Sequence, residues 1–124
     1  MNVLIYGDTE RCLELRHEVP IAIGDPFLYL EAGDRRVVVT NPIEDERIAQ
    51  AAPWLELVMG DALGLDELIA AGHPRWWIRH ELCLRAAVGL GIAAATVPPD
   101  FPLALAERLR AGGVELEVDE TLFS

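Results

Sequence analysis

The chain has 124 residues, which is enough for one domain with a single hydrophobic core. Apolar residues make up 52% of it and charged residues 25%, a balance typical of a globular domain and not of a disordered chain. The formal net charge of −11 argues against nucleic acid as a partner, because a polyanion would be repelled. The same charge either serves solubility or complements a basic partner surface. No apolar run approaches the roughly 20 residues that a membrane span needs.

The beginning of the chain and its cysteines bear on its location. The first ten residues, MNVLIYGDTE, lack the basic region that opens a signal peptide. Cys12 and Cys83 are far apart and form no CxxC motif, which predicts free, buried or half-buried thiols in a reducing compartment. We therefore expect a cytoplasmic protein.

The first predicted elements are short. The branched run at 3–6 predicts an edge strand or an extended arm, and residues 10–16 predict a short helix capped by Asp8 or Thr9. Two branched and aromatic runs, at 27–31 and 37–40, then flank a Gly-Asp turn signal, so an antiparallel hairpin is expected.

The second run of the hairpin also indicates where the hairpin lies. Val37, Val38 and Val39 are apolar on both sides of the pleat, which places them in the middle of a sheet covered on both faces.

The later elements alternate between helices and strands. Asn41 and Pro42 suit the start of a helix, and Pro53 ends it. The pattern then predicts a strand at 55–59, helices at 65–71 and 74–90, a strand at 92–97, a helix at 102–110 and a strand at 114–118 with one wet face. On the longest helix we expect Arg79, Glu81 and Arg85 to face water. This order predicts a single α/β domain over 1–124, with a mixed sheet of about six strands flanked by helices.

Two motifs in the chain resemble known sites but lack the required context. A zinc-protease helix needs a second histidine four residues after the first, and those positions hold Ile21 after His17 and Leu84 after His80. The GxGxxA match at 89–94 follows a predicted helix and precedes a strand, so phosphates would meet the wrong end of the helix dipole. We interpret it as a helix cap.

Acidic residues crowd two regions, around the hairpin and near the carboxyl terminus (Asp25, Glu31, Asp34, Glu115, Glu117, Asp119 and Glu120). Paired carboxylates can act as acid and base or bind a hard cation, whereas a solvated rim needs no such geometry. The sequence identifies no catalytic residue, no metal ligand and no cofactor-binding residue. Trp76 and Trp77 stand at the start of the longest helix, where they either anchor an interface or pack onto the domain's own core.

Several stretches together resemble a known family. Residues 8–11 (DTER), 15–20 (LRHEVP), 25–29 (DPFLY), 97–102 (VPPDFP), the turn at 109–113 and the ending at 118–123 (VDETLF) resemble the N-terminal domain of the creatinase/prolidase family, as in bacterial Xaa-Pro aminopeptidases. The resemblance implies a ribonuclease-H-like α/β fold. It also implies that the domain helps to form a homodimer and shapes access to the partner's active site.

In this family catalysis belongs to a following domain, where two Asp, one His and two Glu hold two divalent metal ions. None of those ligands maps onto this chain, so the resemblance implies no peptidase activity and no cofactor in these 124 residues. The implied partners are the catalytic domain and a second subunit, with Trp76, Trp77 and Phe123 as candidate interface residues. The alternative hypotheses are a free-standing small ligand- or protein-binding domain, and a small enzyme that uses the carboxylates.

Overall fold

A computed structural model of the chain describes residues 2–7, 18–19, 27–40 and 44–120. The strands within these ranges are β1 Val3–Gly7, β2 Phe27–Ala32, β3 Arg35–Thr40, β4 Glu56–Met59, β5 Ala94–Val97 and β6 Glu115–Val118. The helices are α1 Asp45–Ala51, α2 Leu65–Ala70, α3 Arg75–Gly89 and α4 Leu103–Ala111, with a 3-10 helix over Gly60–Leu63 before α2.

The described strands form one mixed sheet in the order β4-β3-β2-β1-β5-β6. β2 pairs antiparallel with both β1 and β3, whereas the β3–β4, β1–β5 and β5–β6 pairs are parallel. Among the described strands β2 alone therefore runs in the opposite direction, and the other five end at the same edge of the sheet. The predicted helix-flanked mixed sheet of about six strands is confirmed.

The β2–β3 hairpin lies in the interior of this sheet, as its apolar runs predict. Its register pairs Ala32 with Arg35, so residues 33 and 34 form the connection. Gly33 has a φ of 63°, a left-handed conformation that glycine adopts without steric cost. Val37 and Val38 point to opposite faces and both are fully buried, which confirms that helices or loops cover the sheet on both sides.

The expectation that β1 is an edge strand or an arm is wrong. β1 lies between β2 and β5, and the amide of Thr96 donates to the Asn2 carbonyl at 2.8 Å beside the β1–β5 pair. Val3, Leu4 and Ile5 are all buried, because residues on both faces of the strand have neighbours. A short branched run cannot reveal this position, since the strand pairs on both sides with distant segments, from Phe27 opposite Gly7 to Thr96 opposite Val3.

Separate hydrophobic clusters occupy the two faces of the sheet. Helices α3 and α4 cover one face, where Leu4 and Leu30 meet residues such as Leu84 and Leu109. On the opposite face α1 brings its buried Ile48 against a cluster that includes Ile5, Tyr29 and Val38. A third cluster joins α2 to α3 through Leu68, Ile78 and Leu82.

The helix ends largely follow the predicted signals. α3 ends at Gly89, Gly91 has a φ of 74°, and β5 begins at Ala94, which confirms the helix-cap interpretation of the glycine motif. Gly64 has a φ of 90° between the 3-10 helix and α2. None of the helices in the described part of the chain is both long and apolar enough to cross a bilayer.

Some predictions fall outside the described residues. They are the helix at 10–16, the helix start at Asn41 and Pro42, the Cys12 thiol, Asp25, His17 and Phe123. The described helix after β3 begins at Asp45.

Helix α4 allows a matched test of this packing. Leu109 is 0% exposed and Leu103 is 69% exposed on the same helix. We expect Leu109→Ala to lower the free energy of unfolding by about 2–5 kcal/mol, because it leaves a cavity in the core. Leu103→Ala should change it by less than about 0.5 kcal/mol. Urea denaturation followed by circular dichroism measures both. Equal losses in the two variants would contradict the orientation of α4.

Candidate functional site

The first two turns of α3 carry both tryptophans of the predicted interface, and the structure separates them. Trp77 is half-buried and packs against the α2–α3 cluster, stacked on His73 with ring centroids 4.0 Å apart. The Arg108 guanidinium lies over the same indole, 5.0 Å from its centroid, a cation–π distance. Trp77 therefore anchors the helix to its own domain, which was one of the two predicted alternatives.

A buried carboxylate one turn further along α3 strengthens this anchor. Glu81 is 8% exposed, so the prediction that it faces water is wrong. Arg108 donates to Glu81 Oε2 from Nε at 2.8 Å and from Nη2, and Arg85 Nε donates to Oε1 at 3.4 Å. α4 packs against α3 and supplies the arginine that makes this burial tolerable, since a buried carboxylate must be paired.

Arg85 extends the anchor to the segment before α2. Its Nη1 donates to the carbonyl of Leu63 at 2.7 Å. A Cβ atom at Gly64 would run into the same guanidinium, so the left-handed glycine also makes room for Arg85. α3 is thus held by α4 through Glu81 and by the 3-10 helix through Arg85.

Trp76 has the opposite orientation. It is 57% exposed and touches the domain through His80, whose ring centroid is 5.7 Å away in an edge-to-face arrangement. His80 in turn meets the ring of Tyr6 at 6.1 Å, also edge-to-face. Trp76 has the exposure that the interface hypothesis requires, while its role in binding stays a prediction.

Burial shapes the acid–base properties of the groups beneath Trp76. It lowers the pKa of His80, and the nearby Arg79 charge acts in the same direction. His80 Nδ1 is buried without a hydrogen-bond partner in the described part of the chain. Burial also raises the pKa of Tyr6, although the positive charge of Arg79 acts in the opposite direction. For the Cys83 thiol, burial raises the pKa to about 12. Cys83 is therefore a protonated, poorly nucleophilic thiol at neutral pH. It is free and buried, as the sequence predicts.

A cavity of about 490 Å³ lies beside α3, and Tyr6, Arg79 and Cys83 are part of its lining. It opens at the sheet edge where β1, β3 and β4 end, next to the first residues of β2. Its described apolar lining includes Tyr6, Leu28, Val39, Leu65, Ile78 and Leu82. Its charged lining consists, among the described residues, of Glu44, Asp61, Arg75 and Arg79. In open α/β sheets this edge is where ligands commonly bind.

The acidic regions of the sequence do not converge within the described residues. Glu31 accepts a hydrogen bond from the Tyr29 hydroxyl at 2.7 Å, and Asp34 is exposed in the hairpin connection. Glu115, Glu117 and Glu120 are exposed at the other side of the sheet. Within residues 2–7, 18–19, 27–40 and 44–120, no three His, Cys, Asp or Glu side chains are grouped so as to hold a metal ion.

The sequence interpretation missed the cavity residues. Arg75 and Arg79 lie one helical turn apart, but solvated arginines on a helix have the same spacing. The available signal was the position of Thr40 at the end of β3 and of Gly60 directly after β4, which marks a sheet edge once the strands are known to be parallel.

The described part of the chain is an α/β domain with a helix-flanked mixed sheet and a cavity at one edge of that sheet. No family model and no curated protein sequence matches the chain. Solved structures do match it. An Xaa-Pro dipeptidase from Bacillus anthracis is 16% identical with a TM-score of 0.64, and the match covers 95% of this chain and 28% of that one. The N-terminal domain of the cytoplasmic peptidase PepQ from Mycobacterium tuberculosis H37Rv is 17% identical with a TM-score of 0.60, covering 95% of this chain and 80% of that one.

A prolidase from Pyrococcus furiosus, 10% identical with a TM-score of 0.61, is matched over 98% of this chain and 29% of its own length. The chain thus spans less than a third of the dipeptidase and prolidase chains that it matches. It shares its fold with the N-terminal domains of Xaa-Pro peptidases, as the resemblance in its sequence predicts. At these identities the likeness defines the fold, and activity is a separate question.

The anchor around Glu81 can be tested against an exposed ion pair in the same chain. Glu81→Gln removes the buried charge that Arg108 and Arg85 share, and we expect a loss of about 1.5–3 kcal/mol in the free energy of unfolding. Glu56→Gln breaks the exposed pair in which Arg35 donates two hydrogen bonds of 2.9 Å, and should change stability less. Urea denaturation of both variants decides the point. A larger effect at Glu56 would show that burial does not strengthen the Glu81 network.

Proposed function

We propose that this chain is the non-catalytic N-terminal domain of a metal-dependent Xaa-Pro peptidase of the aminopeptidase P or prolidase type. The observation that carries the proposal is the extent of the structural match: 95–98% of the chain aligns with peptidase structures, one of which is itself an N-terminal domain. The stretches of the sequence that resemble this family support the same proposal.

In this proposal the domain contributes to dimerisation and to substrate access, and the two divalent metal ions are held by a following domain. The proposed partners are that catalytic domain and a second subunit, in the cytoplasm. The contacts that hold α3 support such an interface, because Glu81 and Arg85 tie the helix to α4 and to the 3-10 helix while Trp76 points outward. An exposed tryptophan on a fixed helix is suited to an interface, since little conformational entropy is lost when it is buried.

A second candidate function is a free-standing α/β domain that binds a small ligand or a protein. The cavity at the sheet edge favours it, because about 490 Å³ lies within the range of small-molecule sites, roughly 300–1,000 Å³. The two candidates differ in what they require of the gene and of the purified chain.

The gene and one assay separate these candidates. We expect the reading frame to continue beyond Ser124 into a domain with two Asp, one His and two Glu as metal ligands. The 124-residue chain alone should hydrolyse Xaa-Pro peptides at the rate of buffer with or without manganese, whereas the longer product should show manganese-dependent turnover. A stop codon directly after Ser124 would favour the free-standing domain, and turnover by the 124-residue chain would contradict both candidates.

Trp76 is the residue through which we test the interface. Trp76→Ser should weaken binding of the separately expressed catalytic domain by about 30-fold or more, because buried interface tryptophans typically contribute at least about 2 kcal/mol. Trp54 is 55% exposed and provides the control. Trp54→Ser should leave binding unchanged, and neither variant should alter the melting temperature. Calorimetric titration measures the affinities, and equal effects at the two tryptophans would exclude Trp76 as a specific contact.

A further inference from the structure

The edge cavity is lined by two arginines that have no acidic partner among the described residues. Within residues 2–7, 18–19, 27–40 and 44–120, no carboxylate oxygen lies within 4.0 Å of a guanidinium nitrogen of Arg75 or Arg79. The arginines Arg35, Arg36, Arg47, Arg85 and Arg108 each pair with a glutamate. In a chain with 21 acidic residues, two such guanidinium groups at one cavity form a local positive site.

Arg75 and Arg79 both place their positive charges at the same cavity. They stand four residues apart on α3, so they lie on one face of the helix, and both line the cavity. Arg79 is half-buried and also interacts with the Tyr6 hydroxyl. The Arg79 side chain therefore lies near the end of β1 and beside the apolar lining.

The acidic residues of the lining do not cancel this charge. Glu44 accepts a hydrogen bond from Arg47 Nη1 at 2.7 Å, so a cation already neutralises its carboxylate. Asp61 on the 3-10 helix and Arg75 are both exposed, so water screens both charges, and half-buried Arg79 is the less screened cation of the lining. Apart from Thr40, the remaining described lining is apolar or weakly polar and comes from three strands, the 3-10 helix and helices α1, α2 and α3. The cavity therefore combines a cationic mouth with an apolar wall.

We propose that this cavity binds a small apolar monocarboxylic acid. Its carboxylate accepts hydrogen bonds from Arg75 and Arg79, and its aliphatic or aryl body packs among Leu65, Ile78 and Leu82. The planar guanidinium group matches a carboxylate with two parallel hydrogen bonds, which makes arginine suited to this head group. Removal of the apolar body from water supplies the rest of the affinity. The proposed ligand site depends only on residues of this chain and does not require that the chain be part of a peptidase.

The test is a titration of the isotope-labelled 124-residue chain, followed by amide NMR shifts, with 3-phenylpropanoate and 4-methylpentanoate and their neutral amides. We expect saturable shifts at Tyr6, Ile78 and Leu82, and at least tenfold weaker binding of the amides. Arg75→Gln combined with Arg79→Gln should reduce the affinity for the acids to that for the amides. Arg110→Gln removes an exposed arginine at the end of α4, away from the cavity, and should leave the affinity unchanged.

A second variant tests the apolar part without disturbing the core. Ile69 is exposed at the cavity, so Ile69→Trp should block entry and abolish the shifts while the melting temperature stays within a few degrees. Equal binding of acids and amides, or no saturable shift with either acid, would overturn the proposal. Tenfold tighter binding of 3-phenylpropyl phosphate would overturn the assignment of a carboxylate head group. The titration needs no peptidase activity, so its failure would leave the proposed peptidase domain unaffected.

Discussion

The double antiparallel pairing of β2 is the constraint on which the rest of the described structure depends. Because β2 runs against both β1 and β3, those two strands are parallel to each other across it. The parallel pairs with β4, β5 and β6 then bring five carboxyl ends to one edge. Burial of Val37 and Val38 on opposite faces requires cover on both sides of the sheet. Since the faces are filled, the edge is where a cavity can form.

Helix α3 packs on this sheet and presents the side chains to which we assign function. Its inner side is held through Trp77 and Glu81, which engage Arg108 from α4. Its outer side leaves Trp76 exposed, and Arg75 and Arg79 stand at the cavity. One rigid helix thus carries both features to which we assign function. The two proposals use different residues of that helix, so a contact at Trp76 and a ligand at the arginines are compatible.

The common fold limits how far function can be inferred from shape. A helix-flanked mixed sheet can host unrelated activities, because chemistry resides in the side chains of a site and not in the backbone. In the described part of this chain polar groups meet in the Glu81 network and in a cluster of Tyr29, Glu31 and Arg36, whereas the cavity arginines stand beside an open space. The structural likeness to peptidase N-terminal domains therefore bears on the fold, whereas the cavity bears independently on ligand binding.

The fold class, the hairpin and the main helices were predictable because each depends on short-range patterns. Alternation and branched residues define 27–40, and the leucines at 105 and 109 define the inner side of α4. The position of β1 was predicted wrongly, because a strand's neighbours are set by pairing with distant segments. Glu81 was also placed wrongly, since a glutamate at a helical position looks solvated until another helix brings an arginine to it.

By itself the sequence determined the secondary structure, the apolar faces and the family likeness, since residues close in the chain carry these signals. Only the tertiary structure decided which tryptophan is exposed and where charges meet. Trp76 and Trp77 are adjacent and chemically identical, and their roles differ because α4 and α2 pack on one side of α3 and not on the other. The cavity likewise forms between three strand ends and α3, which are far apart in the sequence and are brought together by tertiary contacts.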